Sequence, residues 1–477
     1  MIRWFLLGAA LLAGARPGIA QSTAPDTLRR GLGTPPVAEQ AAPADSTAGR
    51  TLGNALRRGL VGVRVRTVFM ATLNQGAAAD YVAQGVGAAL GYETQPWHGL
   101  QAGLKSSFQQ RLYANELAAV PGRPESRYEL SLFDLEHPRR QALRPQVEEL
   151  WLRWQQRSGK LQLTYGRQRL DTPLLNAQDS RLRPNVVQGL WLAAKPDAAT
   201  TVQGGWLTHV APRSVGRWYR LGAAVGRYGM GVATDSARAD YQGHVPTPGL
   251  AVLGVRRTLG PRATMQLWQY WADHLLATSL LEGTVTRPRP AGTWTASGLL
   301  LWQHALATGR GLPAAQRYLD PGEQARALSL RLAYQRRAWQ LAGHYTRLTA
   351  HGRYLFPREW GREPFYTTLP RERIEGAGDV HALGATVAWL RPHAPRLEAG
   401  YGYYNLPPAA WLNKYSLPDF HQLNLSMSHR FAGAAEGLQL RTLYTAKWGA
   451  NRATYLPARA VNKVDLHHLT VALEYGF

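Results

Sequence analysis

Cysteine is missing from all 477 residues, and lysine nearly so, standing only at positions 105, 160, 195, 414, 447 and 463. Without cysteine there is no disulfide framework, no thiolate metal site, no cysteine nucleophile and no lipid-attachment cysteine. Acid is scarce too: 31 Asp+Glu against 55 Lys+Arg leave a formal charge of +24, nearly all of it arginine. That excess predicts attraction for anions. Nucleic acid is one such partner, but no basic helix or RNA-binding signature is present, which argues against it. Long apolar runs are also lacking. Beyond the first twenty residues none approaches a spanning helix, although 45% of the chain is hydrophobic.

The start of the chain, MIRWFLLGAALLAGARPGIA, has a basic residue (Arg3), an apolar stretch and small residues at Gly18 and Ala20. This is the pattern of a secretory signal peptide over residues 1–20, cleaved before Gln21. The apolar segment Trp4–Ala15 is too short for a spanning anchor. Residues 21–58, rich in Ala, Pro, Thr, Ser and Gly, read as a flexible periplasmic leader.

From residue 59 the texture changes to a two-residue period, the mark of β-strands. In "VGVRVRTVF", Val61, Val63, Val65 and Phe69 share one face, and Arg64 and Arg66 the other. "ALSLRLAYQ" sets Leu328, Leu330, Leu332 and Tyr334 against Ser329, Arg331 and Gln335, and "QLNLSMSHRF" behaves alike around Leu423–Phe431. A soluble sandwich would alternate in the same way, so the connections decide. Short turns near Gln95, Ser158, Pro196, Pro261, Pro288, Arg336, His393 and Ala434 alternate with long polar segments around 116–146, 212–247, 308–324, 351–378 and 447–462. One tight end and one long end predict a transmembrane antiparallel β-barrel of about 18 strands over residues 59–477. The connection near Trp271–Leu276 is short on the long side.

The carboxy terminus agrees. "HHLTVALEYGF" puts Leu469, Val471, Leu473, Tyr475 and Phe477 on one face, and a last strand ending on Phe477, with Tyr475 before it, resembles the signal read by the barrel assembly machinery. Closure satisfies every backbone group in lipid. Aromatic clusters in "ELWLRW" (149–154), "LWQYW" (267–271) and "YGYYN" (401–405) suit interfacial girdles.

Three stretches carry a family resemblance: "YVAQGVGAALGYETQPWHGLQAGLKSSF" (81–108), "YELSLFDLE" (128–136) and "LTYGRQRLDTPLLNAQDSRLRPNVVQGLWL" (163–192). Together they resemble OprD-type outer-membrane porins over roughly residues 81–210, with a looser likeness later, as in "WQYWAD" (268–273). The resemblance implies an 18-stranded barrel whose third extracellular loop folds inward to form a constriction. It also implies a ladder of wall arginines that guides carboxylates past an acidic or carbonyl-lined region. By that resemblance Asp171, Asn176, Gln178, Asp179, Arg181 and Arg183 lie on the constriction loop.

Wall residues come instead from the strand period. Arg64, Arg66, Arg153, Arg331, Arg430 and Arg441 fall on polar faces and are candidates for a basic track in the lumen. Any of them could equally pair with an acid such as Glu282, Glu398 or Glu474. Paired N–H donors suit guanidinium to carboxylates. The expected function is therefore passive diffusion of small, anionic or carboxylate-bearing solutes through the outer membrane, among its lipids and lipopolysaccharide.

A barrel hydrolase and a closed surface-binding barrel are the alternatives. No catalytic residue is singled out, since HExxH, GxSxG and P-loop patterns are absent and the histidines are scattered. "LFDLE" lacks calcium-loop spacing, and no metal or cofactor is expected. The oligomeric state is not legible.

Overall fold

The computed structural model describes residues 51–76, 78–178, 181–306, 309–451 and 461–477. The expected signal peptide, most of the expected leader and Asp179 lie outside the described residues. What is described of the leader is a helical turn, Leu52–Arg57, capped by the Thr51 side chain accepting from Asn54 N–H.

Eighteen antiparallel strands follow in sequence, each paired with its neighbours, and a two-residue strand at Tyr219–Arg220 is added beside Thr200–Ala211. The sheet closes where the first strand, Leu60–Asn74, pairs with the last, Leu466–Gly476, from Arg64↔Gly476 to Asn74↔Leu466. Beyond that register, Val63 and Phe477 exchange backbone hydrogen bonds, so the terminal phenylalanine finishes the seam. A closed barrel leaves no edge strand. No helix is long and apolar enough to cross a membrane, a test that does not bear on barrels.

Strand faces follow the two-residue period. Arg64, Arg66, Ser329 and Arg331 turn inward and are buried, while Val65, Leu330, Leu332 and Tyr475 are exposed on the outer wall. The aromatic clusters divide between the two faces, because neighbouring residues of a strand point opposite ways. Trp154, Trp271 and Tyr401 face outward, but Trp151, Trp268, Tyr270 and Tyr404 are buried inside. Short turns gather at one end and long loops at the other, the latter including 115–141, 169–185, 212–249, 349–379 and 406–419. Turn lengths depart little from expectation; the "RPRP" run continues as strand through Arg289 and turns at 290–291.

Candidate functional site: two loops inside the barrel

The segment after Gln168 goes into the lumen. Its first half forms a tight turn: Asp171 bridges Asn176, and the Thr172 hydroxyl accepts from Leu175 N–H at 3.0 Å. Tyr270, on the strand Ala263–Ala272, holds this turn, donating its hydroxyl proton to Thr172 Oγ1 (2.9 Å) and accepting from Leu174 N–H. The second half lies against the first four strands. Arg183 donates from Nε to Ser107 Oγ at 3.0 Å and from Nη1 to Gln146 Oε1 at 2.9 Å. Arg181 donates to Ser131 Oγ at 2.7 Å, and its carbonyl accepts from Arg66 Nη1. Arg181 and Arg183 are 3% and 2% exposed, so this loop is packed into the barrel rather than standing above its rim.

Small residues make room for it. The strand Tyr81–Glu93 turns Ala83, Gly85, Gly87, Ala89 and Gly91 inward, as the register and burial show. A Cβ on Gly85 would sit 2.9 Å from Leu182 Cδ1 and 3.0 Å from Phe133 Cε1. Close approach of another element is a reason for glycine inside a strand.

A second loop, 349–379, enters from the opposite wall. Tyr366 donates to Glu282 (2.6 Å), and Tyr366 N–H donates to Ser329 Oγ. The Thr367 carbonyl accepts from Tyr404, and the Pro370 carbonyl accepts from Gln422 and Asn424. Glu372 pairs with Lys447 of the wall and, at 3.6 Å, with Arg127 of the loop 115–141. The two inward loops meet. Asn176 Nδ2 donates to the Arg362 carbonyl (3.0 Å), Gln178 Nε2 to that of Arg358 and Asn185 Nδ2 to that of Glu359. At Gly361 a Cβ would overlap the Leu174 carbonyl, so only glycine permits this crossing.

Arginines collect at the junction. Arg213 donates to the Gln178 carbonyl at 3.1 Å, and Arg373 to Gln178 Oε1 and, at 2.9 Å, to the Gly361 carbonyl. Arg362 donates to the carbonyls of Leu369 and Glu372, and Arg371 to Thr470 Oγ1. Burial lowers the pKa of Arg371 to about 10 and of Arg213 to about 9, with neighbouring arginines adding to the effect. Desolvation likewise lowers Arg181, beside Arg371 and Arg213. At Arg362, Arg371 and Arg373 the acceptors named are neutral oxygens, so those bonds leave the positive charge in place, and the carboxylates of Glu363 beside Arg373 and of Glu129 beside Arg371 offset part of it.

Acid lies on the wall nearby. A β-bulge opposite Lys105/Ser106 turns both Glu148 and Glu149 inward; Glu148 is 1% exposed and Glu149 pairs with Lys105 at 3.8 Å. Arg183 faces Glu148 and Asp134, although burial, the larger effect, lowers its pKa. Arg183 of the loop thus binds Gln146, and the acidic bulge follows it on the same strand.

The wall arginines do not form one line. Arg66 pairs with Glu474, and Arg441 lies 3.6 Å from the same carboxylate. Arg64 is two residues below Arg66 on the first strand, while Arg430 is exposed at the short-turn end of Phe420–Arg430. Arg153 lies over the Trp151 ring at 4.2 Å, and Arg331 faces Ser297 and His344 across the sheet. All six stand in the short-turn half of their strands, where Arg66 also meets the first inward loop. Of the loop residues, Gln178, Arg181 and Arg183 enter the packed interior, Asn176 holds the second loop, and Asp171 is exposed. The period analysis missed Arg213, Arg362, Arg371 and Arg373. For the last three the available signal was the run "RYLFPREWGREPFYTTLPRERIEG", dense in arginine, proline and aromatics.

Two clusters have the composition of catalytic or metal sites. Ser126 and Thr72 donate to Glu129, which also lies 3.2 Å from His468 Nδ1. Here the serine is bonded to the carboxylate rather than to the imidazole, which is the wrong order for activating a nucleophile. Asp134, Glu136 and His137 bring ligand atoms together, but Glu136 is held by Arg217 (2.9 Å), Arg227 (2.8 Å) and Tyr219. Two guanidinium groups on one carboxylate disfavour a cation there.

Residues 137–295 match the family model described as outer membrane porin, OprD family. None of the curated proteins matches. Among solved structures, Pseudomonas aeruginosa OccK9 (OpdG) is similar with a TM-score of 0.70 at 14% identity, over 89% of this chain and 99% of that one. P. aeruginosa OpdK with vanillate is similar at 0.66 and 12%, over 88% and 99%. Acinetobacter baumannii OccAB1 is similar at 0.67 and 11%, over 89% and 97%. The resemblance read from residues 81–210 and the 18-stranded closed barrel are both borne out.

Proposed function

We propose, with an outer-membrane porin of the OprD type as the premise, that this barrel gives selective passive diffusion to small carboxylate-bearing solutes. The observation that carries the reading is the group Arg362, Arg371 and Arg373 at the meeting of the two inward loops, bonded to neutral oxygens. A cationic constriction flanked by low-dielectric walls concentrates anions. Guanidinium forks offer a carboxylate paired donors, and exchange between several weak sites lets it leave. The basic wall residues Arg64, Arg441 and Arg430 would then receive the solute on the short-turn side. OpdK, a structural neighbour, was solved with vanillate, a carboxylate, which supports the class without fixing the compound.

Planar-bilayer recording under a salt gradient tests this. The open pore should favour anions, and small carboxylates should reduce its current in a concentration-dependent way. Arg371→Gln with Arg373→Gln should move the reversal potential towards zero selectivity. Arg331→Glu with Arg441→Glu should do so only if the wall track also acts. A correctly folded barrel that is channel-silent, or one indifferent to both pairs, would refute the proposal.

A further inference from the structure

Three of the last strands begin with one motif: "DVHAL" (379–383), "DFHQL" (419–423) and "DLHHL" (465–469), an Asp, an apolar residue, a His, any residue and a Leu. Each His is the second residue of a strand descending from a long loop. The arrangement in space repeats as well. A tyrosine of the preceding strand stands opposite the motif Leu: Tyr345↔Leu383, Tyr401↔Leu423 and Tyr444↔Leu469. In every copy that hydroxyl reaches the Nδ1 of the motif His, at 2.9 Å to His381, 2.7 Å to His421 and 2.7 Å to His467.

The Asp has a structural reason. Asp419 accepts from Leu406 N–H at 2.7 Å and Asp465 from Gly449 N–H at 3.1 Å, fastening the end of one strand to the start of the next. Asp379 holds Arg347 at 2.6 Å. Asp80 does the same for Asn74 N–H, yet its outward residue is Val82 and no histidine follows. Strand fastening therefore does not require the His. Interfacial tyrosines are ordinary in barrels, but a tyrosine girdle does not require it either.

With the tyrosine hydroxyl donating to Nδ1, each ring carries its proton on Nε2. Among the described residues, Nε2 of His381, His421 and His467 enters no hydrogen bond. Three N–H donors thus form a row at the long-loop rim of the outer wall, over the last six strands alone. His381 also faces Arg347, itself bound to Asp379; His421 packs against Tyr403 and Trp448, and His467 stacks on Tyr444.

Beneath the row the same six strands form an apolar groove. Leu397, Ala399, Leu425, Met427 and Leu469 line it, with Trp339 and Trp389 at its short-turn end and Tyr444 of the row also on its edge. Donors above and hydrocarbon below match one kind of occupant, an amphiphile with an anionic head. We propose that this face binds an outer-leaflet lipid carrying more than one phosphate, each phosphate taken by a different histidine of the row, whose members stand about 10 Å apart on alternate strands, with an acyl chain lying in the groove. A second copy of the chain fits less well, since a two-fold contact would set this row of donors against itself. The assignment is independent of what the lumen transports.

The full-length barrel, purified in detergent, tests it by native mass spectrometry with three probes: bisphosphorylated lipid A, dephosphorylated lipid A and inorganic phosphate. The first should be retained, and the other two should bind far less, because head and chain act together. His381→Phe, His421→Phe and His467→Phe combined should lower lipid A retention on the order of tenfold, the hydrogen bonds to its two phosphates being lost. Pore conductance should not change, which also reports correct folding. Should the triple Phe chain not fold, the three single His→Gln variants should each weaken retention in part. Retention equal in wild type and variants, equal binding of the dephosphorylated lipid, or a dimer joined through this face would overturn the proposal.

Discussion

Arg66 donates from Nη1 to the carbonyl oxygen of Arg181 at 2.6 Å while its guanidinium pairs with Glu474 on the last strand. One residue therefore joins the closing seam of the barrel to the loop that fills it. Closure of the seam and seating of the loop thus share one side chain.

Removing Glu474 should expose that coupling. Glu474→Gln leaves Arg66 buried without its carboxylate and takes a partner from Arg441 as well. Loss of one member of a buried pair costs about 3–5 kcal/mol. Arg396→Gln, at the more exposed Arg396–Glu398 pair, should cost within about 1 kcal/mol. Urea midpoints read from heat-modifiable mobility would check both, and equal midpoints would show that the seam pair carries no stability.

The small inward residues of the second strand give a steric test. Gly85→Val places carbon where Leu182 and Phe133 already stand, and should push the loop 169–185 off the wall. Gly91→Ala meets nothing nearer than Lys105 Cγ at 3.7 Å, an ordinary contact. Single-channel conductance should change in the first variant and not in the second.

Barrel and strand number were legible because they rest on local signals, a two-residue period and alternating connection lengths, whereas the inward position of the loop after Gln168 came only from the family resemblance of its residues. The second inward loop was not. A long polar segment reads the same whether it stands over the rim or lies in the lumen, and only the contacts of Tyr366, Pro370 and Glu372 with the wall tell the two apart. The constriction arginines were hidden for a related reason. They are held by carbonyls such as those of Gly361 and Leu369, and sequence carries no mark of which carbonyl a guanidinium will find. The bulge that turns both Glu148 and Glu149 inward likewise breaks the period that would have separated them.

Lys414 offers a dependence on alkaline pH. Its ammonium lies 4.6 Å from the Tyr241 ring centroid, 4.5 Å from that of Tyr318 and 5.6 Å from that of Tyr415, with Glu375 at 3.9 Å. Burial lowers its pKa to about 8, against Glu375 and Glu359, which raise it, and with Arg353 and Arg358, which lower it further. The folded loops then hold the proton less tightly than the unfolded chain, so stability rises as pH climbs from about 8 towards the free lysine value near 10.4. The melting temperature of wild type relative to Lys414→Met should increase between about pH 7.5 and 9.5, below tyrosine ionisation near 10. A relative decrease would mean that attraction of the cation to the three rings outweighs its desolvation.

Glu372 should govern how quietly the pore conducts. It ties the loop 349–379 to Lys447 of the wall and to Arg127 of another loop. Burial alone would raise its carboxyl pKa, but Lys447 and Arg127 outweigh burial and hold it below the usual range. A depressed carboxyl contributes its stabilisation above the unfolded value, and loses it only as pH falls through the folded one. Wild-type channels should therefore stay quiet through neutral and mildly acidic pH and become noisy only below the ordinary glutamate range of about 4.3. Glu372→Gln removes the clasp at every pH and leaves Lys447 buried beside an amide. Its current should flicker already at pH 7, with anion preference kept, because Arg371 and Arg373 remain. Quiet channels in this variant would place the loop's anchorage in its carbonyl contacts with Gln422 and Asn424 instead.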